Sequence, residues 1–180
     1  MKRLTGSMML AAAGMSTAVA LLMLFAANVL KSPVLSAICL FIASVMTWVP
    51  LREDSGYVFA GASFMLTSVI ALLICGGPFT YLYIMLFGHY GIAYLFARQH
   101  IEDDLLRWLV MLLYANLFIA GGLAIASYLF YYDVRTLAPE LPVWAIILIM
   151  EVGLVIFGVL YHFCCDLFDT HARKVLLPRR

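Results

Sequence analysis

The chain has 180 residues, of which 66% are hydrophobic and only 12% are charged, and its mean hydropathy is +1.04. A soluble single domain does not need so much apolar surface, so this composition excludes an ordinary soluble protein and predicts membrane-crossing segments. The net charge of +1 is uninformative as a sum, and nothing in the sequence suggests a nucleic-acid partner.

Turn signals divide the chain into six apolar segments, each near the length of about twenty residues that a helix needs to cross a bilayer. The first segment runs for roughly 22 residues, too long for the core of a signal peptide, so we predict a retained helix. None has the alternating pattern of membrane β-strands. We therefore predict an all-α, polytopic membrane protein that forms one transmembrane domain over residues 1–180. Its six predicted helices lie at about 8–30, 34–49, 57–75, 79–97, 105–131 and 143–168.

The first predicted span is rich in small residues, which allow a second helix to approach closely. The pattern does not tell whether that helix belongs to the same chain or to a partner. Asn28 adds an amide near the predicted outer end of the span. Three pairs of small residues are spaced four apart: Ala12 and Ser16, Ala13 and Thr17, and Gly14 and Ala18.

A break at Gly76-Gly77-Pro78 separates the third span from the fourth, because glycine and proline end helices. The fourth span carries His89 near its middle. This histidine could bind a ligand or bridge two helices. An aromatic stripe beside it could stack on a ligand or pack in the core; it consists of Tyr83, Phe87, Tyr90 and Tyr94.

The acidic triplet Glu102-Asp103-Asp104 precedes the fifth span. Acidic residues are favourable at a helix N-terminus, so the triplet could cap this helix, or it could dock a partner. Asn116 lies in the middle of the same span and could bind a ligand or bridge two helices.

Glu151, in the sixth span, is the strongest candidate for a functional residue. An unpaired charge inside the bilayer costs on the order of several kcal/mol, so Glu151 is either protonated or paired. It shares a helix stripe with Gly158, His162 and Asp166. If it lines a ligand site, it should face the fourth and fifth helices, near the tyrosines or Asn116. The alternative is a structural carboxyl that is hydrogen-bonded to a neighbouring helix.

The distribution of basic residues orients the predicted helices. With the N-terminus in the cytoplasm, the cytoplasmic segments contain nine of the eleven lysines and arginines. Because basic residues are enriched in cytoplasmic loops, we predict that both termini are cytoplasmic. The inner residues are Lys2, Arg3, Arg52, Arg98, Arg107, Arg173, Lys174, Arg179 and Arg180, and the outer ones are Lys31 and Arg135.

No motif of an energy-coupling or hydrolytic enzyme is found in the sequence. It contains no Walker motif, HExxH or GxSxG, so we predict that the chain is not an enzyme and does not hydrolyse ATP. We also predict no metal and no cofactor. The cysteines lack metal-ligand spacing and are predicted to be small hydrophobic residues: Cys39, Cys75, Cys164 and Cys165.

Two family resemblances follow from these features. Residues 87–90 read FG-x-Y, and Glu102, Trp108 and Asn116 come after them. This order resembles a small Firmicutes-type family of six-helix membrane proteins. More broadly, the six-helix size, the cytoplasmic termini and the small residues of the first span resemble the substrate-binding (S) components of energy-coupling factor (ECF) vitamin transporters.

The second resemblance implies a protein of the bacterial cytoplasmic membrane that captures a small molecule such as a vitamin. A transmembrane coupling subunit and ATPase subunits would supply the energy. By this resemblance the docking face for the coupling subunit would be Ala12, Ala13, Ser16 and Ala18. The substrate-binding side chains would be Glu151, Asn116, His89, Tyr83, Tyr90, Tyr94 and Asn28.

The alternative is a membrane scaffold or assembly protein of the rod-shape-machinery type. In that case the polar residues only lock helices together. A small molecule that copurifies in gentle detergent would separate capture of a ligand from the scaffold role.

Overall fold

A computed structural model describes residues 6–48, 56–130 and 142–167. All regular structure in these ranges is helical, which confirms the predicted all-α class. In chain order the segments are α1 Gly6–Val29, α2 Pro33–Trp48, α3 Gly56–Ile74, α4 Pro78–Leu82, a π-helical turn Tyr83–Phe87, α5 Gly88–His100, α6 Asp104–Phe130 and α7 Val143–Leu167.

The predicted spans coincide with these segments, and the described ends lie within three residues of the predicted ones. The fourth span corresponds to α4, the π turn and α5 together. The last residues predicted for the second, fifth and sixth spans, 49, 131 and 168, lie outside the described residues. The described residues also exclude parts of the predicted connections, residues 51–55 and 132–141, and the basic residues at both termini.

Among the described residues, five helical stretches are long and apolar enough to cross a membrane: Leu10–Val29, Tyr57–Ile74, Pro78–His100, Asp104–Ile125 and Val143–Leu167. Large apolar side chains such as Met15 and Leu73 are exposed on them, a surface suited to contact with lipid. The chain therefore has the helices of a multi-pass membrane protein. The apolar helix α2 has 16 residues, about 24 Å, which is shorter than a bilayer core of about 30 Å. A sixth crossing by α2 stays a prediction.

The chain forms two compact units, Met1–Met111 and Leu112–Arg180, and their boundary lies inside α6. The prediction of one domain stays a prediction. In the first unit α1 packs most extensively against α2 and α3, and α2 also contacts the π turn and α5. The core of this unit consists of Ala20, Leu24, Leu40, Ala43, Ala71 and Tyr83.

The predicted break between the third and fourth spans is confirmed. The amides of Cys75 and Gly76 both donate to the carbonyl oxygen of Ala71, over 2.8 and 3.2 Å, and α3 ends there. Gly76 has φ of +51°, a left-handed conformation that glycine adopts without steric cost at a helix C-terminus. Pro78 begins α4, where the missing N–H has no helical partner to lose.

The acidic triplet caps α6, as one of the two interpretations of the sequence predicts. The Oδ1 atom of Asp103 accepts hydrogen bonds from the amides of Leu105 and Leu106, over 2.8 and 3.2 Å. Asp104 in the first turn pairs with the buried guanidinium group of Arg107. The two hydrogen bonds to Asp103 satisfy amides that a helix N-terminus leaves without helical partners.

The second unit contains the larger part of α6 and all of α7. The rings of Phe157 and Tyr161 contact each other along α7, with centroids 5.4 Å apart. Their face of the helix is buried, and it consists of Ile146, Leu154, Phe157, Gly158, Tyr161 and Cys165.

Candidate functional site

An amide–carboxyl pair joins α6 to α7 within the second unit. The side-chain amide of Asn116 donates to Oε2 of Glu151 and to the carbonyl oxygen of Leu112, both over 3.2 Å. Both amide hydrogens of Asn116 are therefore engaged. Glu151 therefore lies near Asn116, as both interpretations of Glu151 predict, the ligand site and the structural carboxyl bonded to a neighbouring helix. Ligand binding by the two residues stays a prediction.

The pair lies far from the ends of its helices. At 1.5 Å per residue, Glu151 is about 12 Å along α7 from its start, and Asn116 is about 18 Å along α6. Both side chains are half-buried. The hydrogen bond between them offsets part of the cost of placing polar groups inside apolar helices. The remaining acceptor capacity of the pair lies on the carboxyl and carbonyl oxygens.

His89 follows the π turn, and its Nε2 atom lies 2.9 Å from the carbonyl oxygen of Met85. Because a carbonyl oxygen only accepts hydrogen bonds, Nε2 carries the hydrogen in this contact. The imidazole ring meets the ring of Phe64 edge to face, with centroids 5.6 Å apart. These contacts favour a bridge between α5 and α3. Ligand binding by His89 stays a prediction.

The three tyrosines predicted to bind substrate are buried inside the first unit. Tyr83 is fully buried, and Tyr90 and Tyr94 are each 5% exposed. The ring of Tyr83 packs against Phe64 at a centroid distance of 6.0 Å. Burial to this degree favours the packing interpretation of the aromatic stripe. Substrate contact by these tyrosines stays a prediction.

Asn28 joins the end of α1 to the start of α4. Its Oδ1 atom accepts a hydrogen bond from the amide of Phe79 over 3.2 Å, and its Nδ2 atom donates to Oγ1 of Thr80 over 3.0 Å. The same nitrogen donates to the carbonyl oxygen of Leu24 over 2.9 Å. The side chain therefore holds two helix ends together, and substrate contact by Asn28 stays a prediction.

The small residues of α1 divide between the inside and the outside of the first unit. Ala13 and Ser16 are buried, while Ala12 is half-buried and Ala18 is exposed. Their neighbour Thr17 is buried as well and shares a 2.8 Å hydrogen bond with Ser63 of α3. The buried small residues thus lie in a helix that packs against α2 and α3 of the same chain. Docking of a partner stays a prediction. Of the residues predicted for the docking face, Ala18 is exposed and Ala12 is partly exposed.

Buried hydroxyl groups form a second polar set in the first unit, which neither the composition nor the family resemblances point to. The signal in the sequence is the spacing of three or four residues between Ser44 and Thr47 and between Ser63 and Thr67. Such spacing gives an apolar helix one polar stripe. The buried members are Ser16, Thr17, Ser36, Ser44, Thr47, Ser63, Thr67, Ser68 and Thr80.

The described residues contain no group of three His, Cys, Asp or Glu side chains placed to hold a metal ion. The four cysteines are free thiols. Near the end of α7, Nε2 of His162 lies 3.3 Å from Oδ2 of Asp166, and both side chains are partly exposed. This pair lies on the stripe predicted for Glu151, four residues apart on one helix face.

Comparisons of the chain with protein-family models, with characterised proteins and with solved structures give no match.

Proposed function

We propose that this multi-pass protein captures a small molecule through Glu151 and Asn116. The observation that carries the proposal is the hydrogen-bonded amide–carboxyl pair in the interior of two apolar helices. Ionisable side chains at such a depth are costly, and they commonly mark a path or site for a ligand, an ion or a proton. We propose further that the chain is not an enzyme and needs neither metal nor cofactor.

The hydrogen-bonding state of the pair indicates the chemistry of the ligand. Both amide hydrogens of Asn116 are directed to oxygen atoms of the protein, Oε2 of Glu151 and the carbonyl of Leu112. An ionised Glu151 accepts hydrogen bonds and does not donate them. The pair therefore suits a ligand group that donates hydrogen bonds, such as an ammonium, an amidinium or a hydroxyl.

The proposed topology has six spans, with both termini in the cytoplasm of a bacterium. In the first unit Asn28 joins the α1 end to the α4 start, and Lys31 lies beside this end of the bundle. The hydroxyl group of Tyr57 at the start of α3 donates to Gln99 at the end of α5 over 2.6 Å. Arg98 lies at this second end. The positive-inside rule then supports a cytoplasmic second end.

The energy for transport would come from separate subunits, as the resemblance to ECF substrate-binding components implies. A transmembrane coupling subunit would approach the accessible residues of the predicted docking face, Ala18 and in part Ala12, together with their exposed neighbour Gly14, and two ATPases would drive it. The first unit leaves Gly14 and Ala18 exposed, and a Cβ atom at Gly14 has no neighbour within 4 Å. Close approach of a partner helix at such positions is favourable in a bilayer.

The decisive experiment combines gentle detergent extraction with native mass spectrometry, followed by titration of the molecule that copurifies. We expect wild-type protein to carry the molecule and Glu151→Gln to bind it about 5- to 150-fold more weakly, because a hydrogen bond to a charged group is lost. The near-isosteric amide keeps an oxygen for Asn116, so the thermal stability should change little. Glu102→Gln, at an exposed acid outside the pair, is the matched control and should bind normally.

A membrane scaffold of the rod-shape-machinery type is the second candidate. The observation that favours it is that Asn28 and Ser44 direct their hydrogen bonds to groups of the same chain. A scaffold predicts a wild-type protein without a copurifying molecule, together with lower thermal stability of Glu151→Gln. That combination would overturn the capture proposal.

A further inference from the structure

The amide–carboxyl pair of α6 and α7 has unshared acceptor oxygens on both of its side chains. The side-chain nitrogen of Asn116 donates to Oε2 of Glu151 and to the carbonyl oxygen of Leu112. Among the described residues, none donates a hydrogen bond to Oδ1 of Asn116 or to Oε1 of Glu151. Both side chains are half-buried, so part of the pair stays accessible. The pair thus offers acceptor oxygens to a ligand, while its N–H donors are already used.

The charges of the second unit decide the state of the Glu151 carboxyl group. The described residues of this unit include no lysine and no arginine. Their one histidine, His162, is about 16 Å along α7 from Glu151, and its Nε2 atom lies 3.3 Å from Oδ2 of Asp166. On α6, the helix that contacts Glu151, Arg107 pairs with Asp104 near the start. The other described titratable side chains of α6 and α7 are Tyr114, Tyr128, Tyr161, Cys164 and Cys165.

An ionised Glu151 therefore has a neutral amide as its hydrogen-bond partner and no lysine or arginine among the described residues of its unit. A carboxylate without a counter-charge between apolar helices is strongly unfavourable, and either a proton or a bound cation neutralises it. The proton serves when no ligand is bound. Since Oε2 accepts the hydrogen of Asn116, Oε1 is the oxygen that carries this proton. A positively charged ligand can take its place.

We infer that Glu151 exchanges its proton for an ammonium or amidinium group of the ligand, an inference that rests on the proposed capture function. The proton on Oε1 leaves to water, and Oε1 then accepts an N–H hydrogen bond from the cation. The charges balance, because one positive charge leaves as another binds. Oδ1 of Asn116 belongs to the same 3.2 Å contact and can accept a further N–H. A neutral hydroxyl brings no charge to replace the proton, so the substrate class is narrowed to cationic molecules with N–H donors.

The proton on Glu151 is tested with dicyclohexylcarbodiimide, a reagent that adds to protonated carboxyl groups in apolar surroundings. The full-length protein is washed in gentle detergent at mildly acidic pH, which returns the proton and displaces a bound cation, and is then brought to neutral pH. We expect peptide mass spectrometry to find the reagent on Glu151 and not on the exposed Glu102. A washed protein without label at Glu151 would overturn the inference.

The exchange itself is tested with three probes that share one frame: benzylammonium chloride, benzyltrimethylammonium chloride and benzyl alcohol. Benzylammonium should slow the labelling of Glu151 about tenfold more than the other two, because it alone combines a positive charge with N–H donors. In weakly buffered detergent its binding should release one proton per molecule bound. Its affinity should fall about tenfold for each unit by which the pH is lowered, since the proton competes with it. Glu102→Gln is the control and should release the same proton.

Different results separate proton exchange from capture. Capture is absent when no molecule copurifies with the wild-type protein and Glu151→Gln lowers its thermal stability. Capture without exchange is shown by a copurifying molecule together with a washed protein that is unlabelled at Glu151. Equal protection by benzyl alcohol, protection by none of the three probes, or binding of benzylammonium without release of a proton would also overturn the exchange. These measurements use the wild-type protein, so they do not depend on the folding of a variant.

Discussion

Gly88 lies where the π turn meets α5, and its Cα atom faces two aromatic rings. A Cβ atom there would lie 2.6 Å from the ring of Phe64 and 2.8 Å from that of Tyr83. We expect Gly88→Ala to lower the free energy of unfolding in detergent by about 1–3 kcal/mol, because overpacking displaces the rings. Gly14→Ala is the control, since nothing lies within 4 Å of its Cβ position, and alanine favours a helix there. Equal losses in the two variants would contradict this explanation.

At the scale of single residues, the sequence predicted which polar groups are unusual. It predicted the contacts of these groups less well. The cost of polar groups in lipid singled out Glu151 and Asn116, and they are hydrogen-bonded to each other. The same reasoning singled out His89 without revealing its hydrogen bond to the carbonyl oxygen of Met85. Such a bond depends on the backbone geometry of the turn, which residue types alone do not fix.

Periodicity likewise did not tell the inner face of α1 from its outer face. Small residues are spread around this helix, so no apolar stripe marks the side that packs. The burial of Ala13 and Ser16 and the exposure of Ala18 follow from the way α2 and α3 pack against α1, which is a tertiary arrangement. A test of partner docking should therefore change Gly14 or Ala18, because a larger side chain at Ala13 would disturb the first unit itself.

Among the elements, the turn between α3 and α4 can be tested by mutation, because the side chain of Asn28 occupies the space that a Cβ atom on Gly77 would need. Gly77 has an extended backbone that any residue adopts, yet a Cβ atom there would lie 2.7 Å from Cγ of Asn28. Gly77→Ala should therefore displace the Asn28 amide, which caps α4 by accepting from Phe79. We expect Gly77→Ala and Asn28→Ala each to lower the free energy of unfolding by about 0.5–2 kcal/mol.

The double variant separates this mechanism from a general loss of packing. If both changes break the same cap, the Gly77→Ala/Asn28→Ala double variant should be little less stable than either single one. Thermal unfolding of the four proteins in one detergent measures the coupling. Additive losses would show that Gly77 acts through something other than Asn28.

The π turn at residues 83–87 is the element that the sequence did not predict. An α-helix turns by about 100° per residue, and one extra residue in a turn shifts the following side chains by that angle. An almost uniformly apolar span does not reveal such a shift. The turn is fixed by contacts from outside it, such as the hydrogen bond from Ser44 to the carbonyl oxygen of Phe87. The ends of the spans, by contrast, were predictable because Pro33, Pro78 and the Gly76-Gly77 pair act locally.

For the whole molecule, composition and segment length predicted the helical class and the membrane character, because both depend only on summed apolar surface. The number of crossings depends on more. The helix α2 is about 24 Å long, so its ability to cross depends on local thinning of the bilayer or on polar ends. The orientation depends on the basic residues, and these lie mainly in connections and termini.

The orientation is tested with single cysteines at the two ends of the first unit. The background has alanine in place of the four native cysteines, and the variants are Lys31→Cys and Glu102→Cys, both at exposed positions. Because Arg98 and Arg107 flank Glu102 and should remain in the cytoplasm, a membrane-impermeant maleimide added to intact cells should label position 31 and leave position 102 unlabelled. Both positions should react after the membrane is permeabilised, which controls for accessibility. Labelling of position 102 alone in intact cells would reverse the proposed orientation, and labelling of both would mean that α2 to α5 do not cross as proposed.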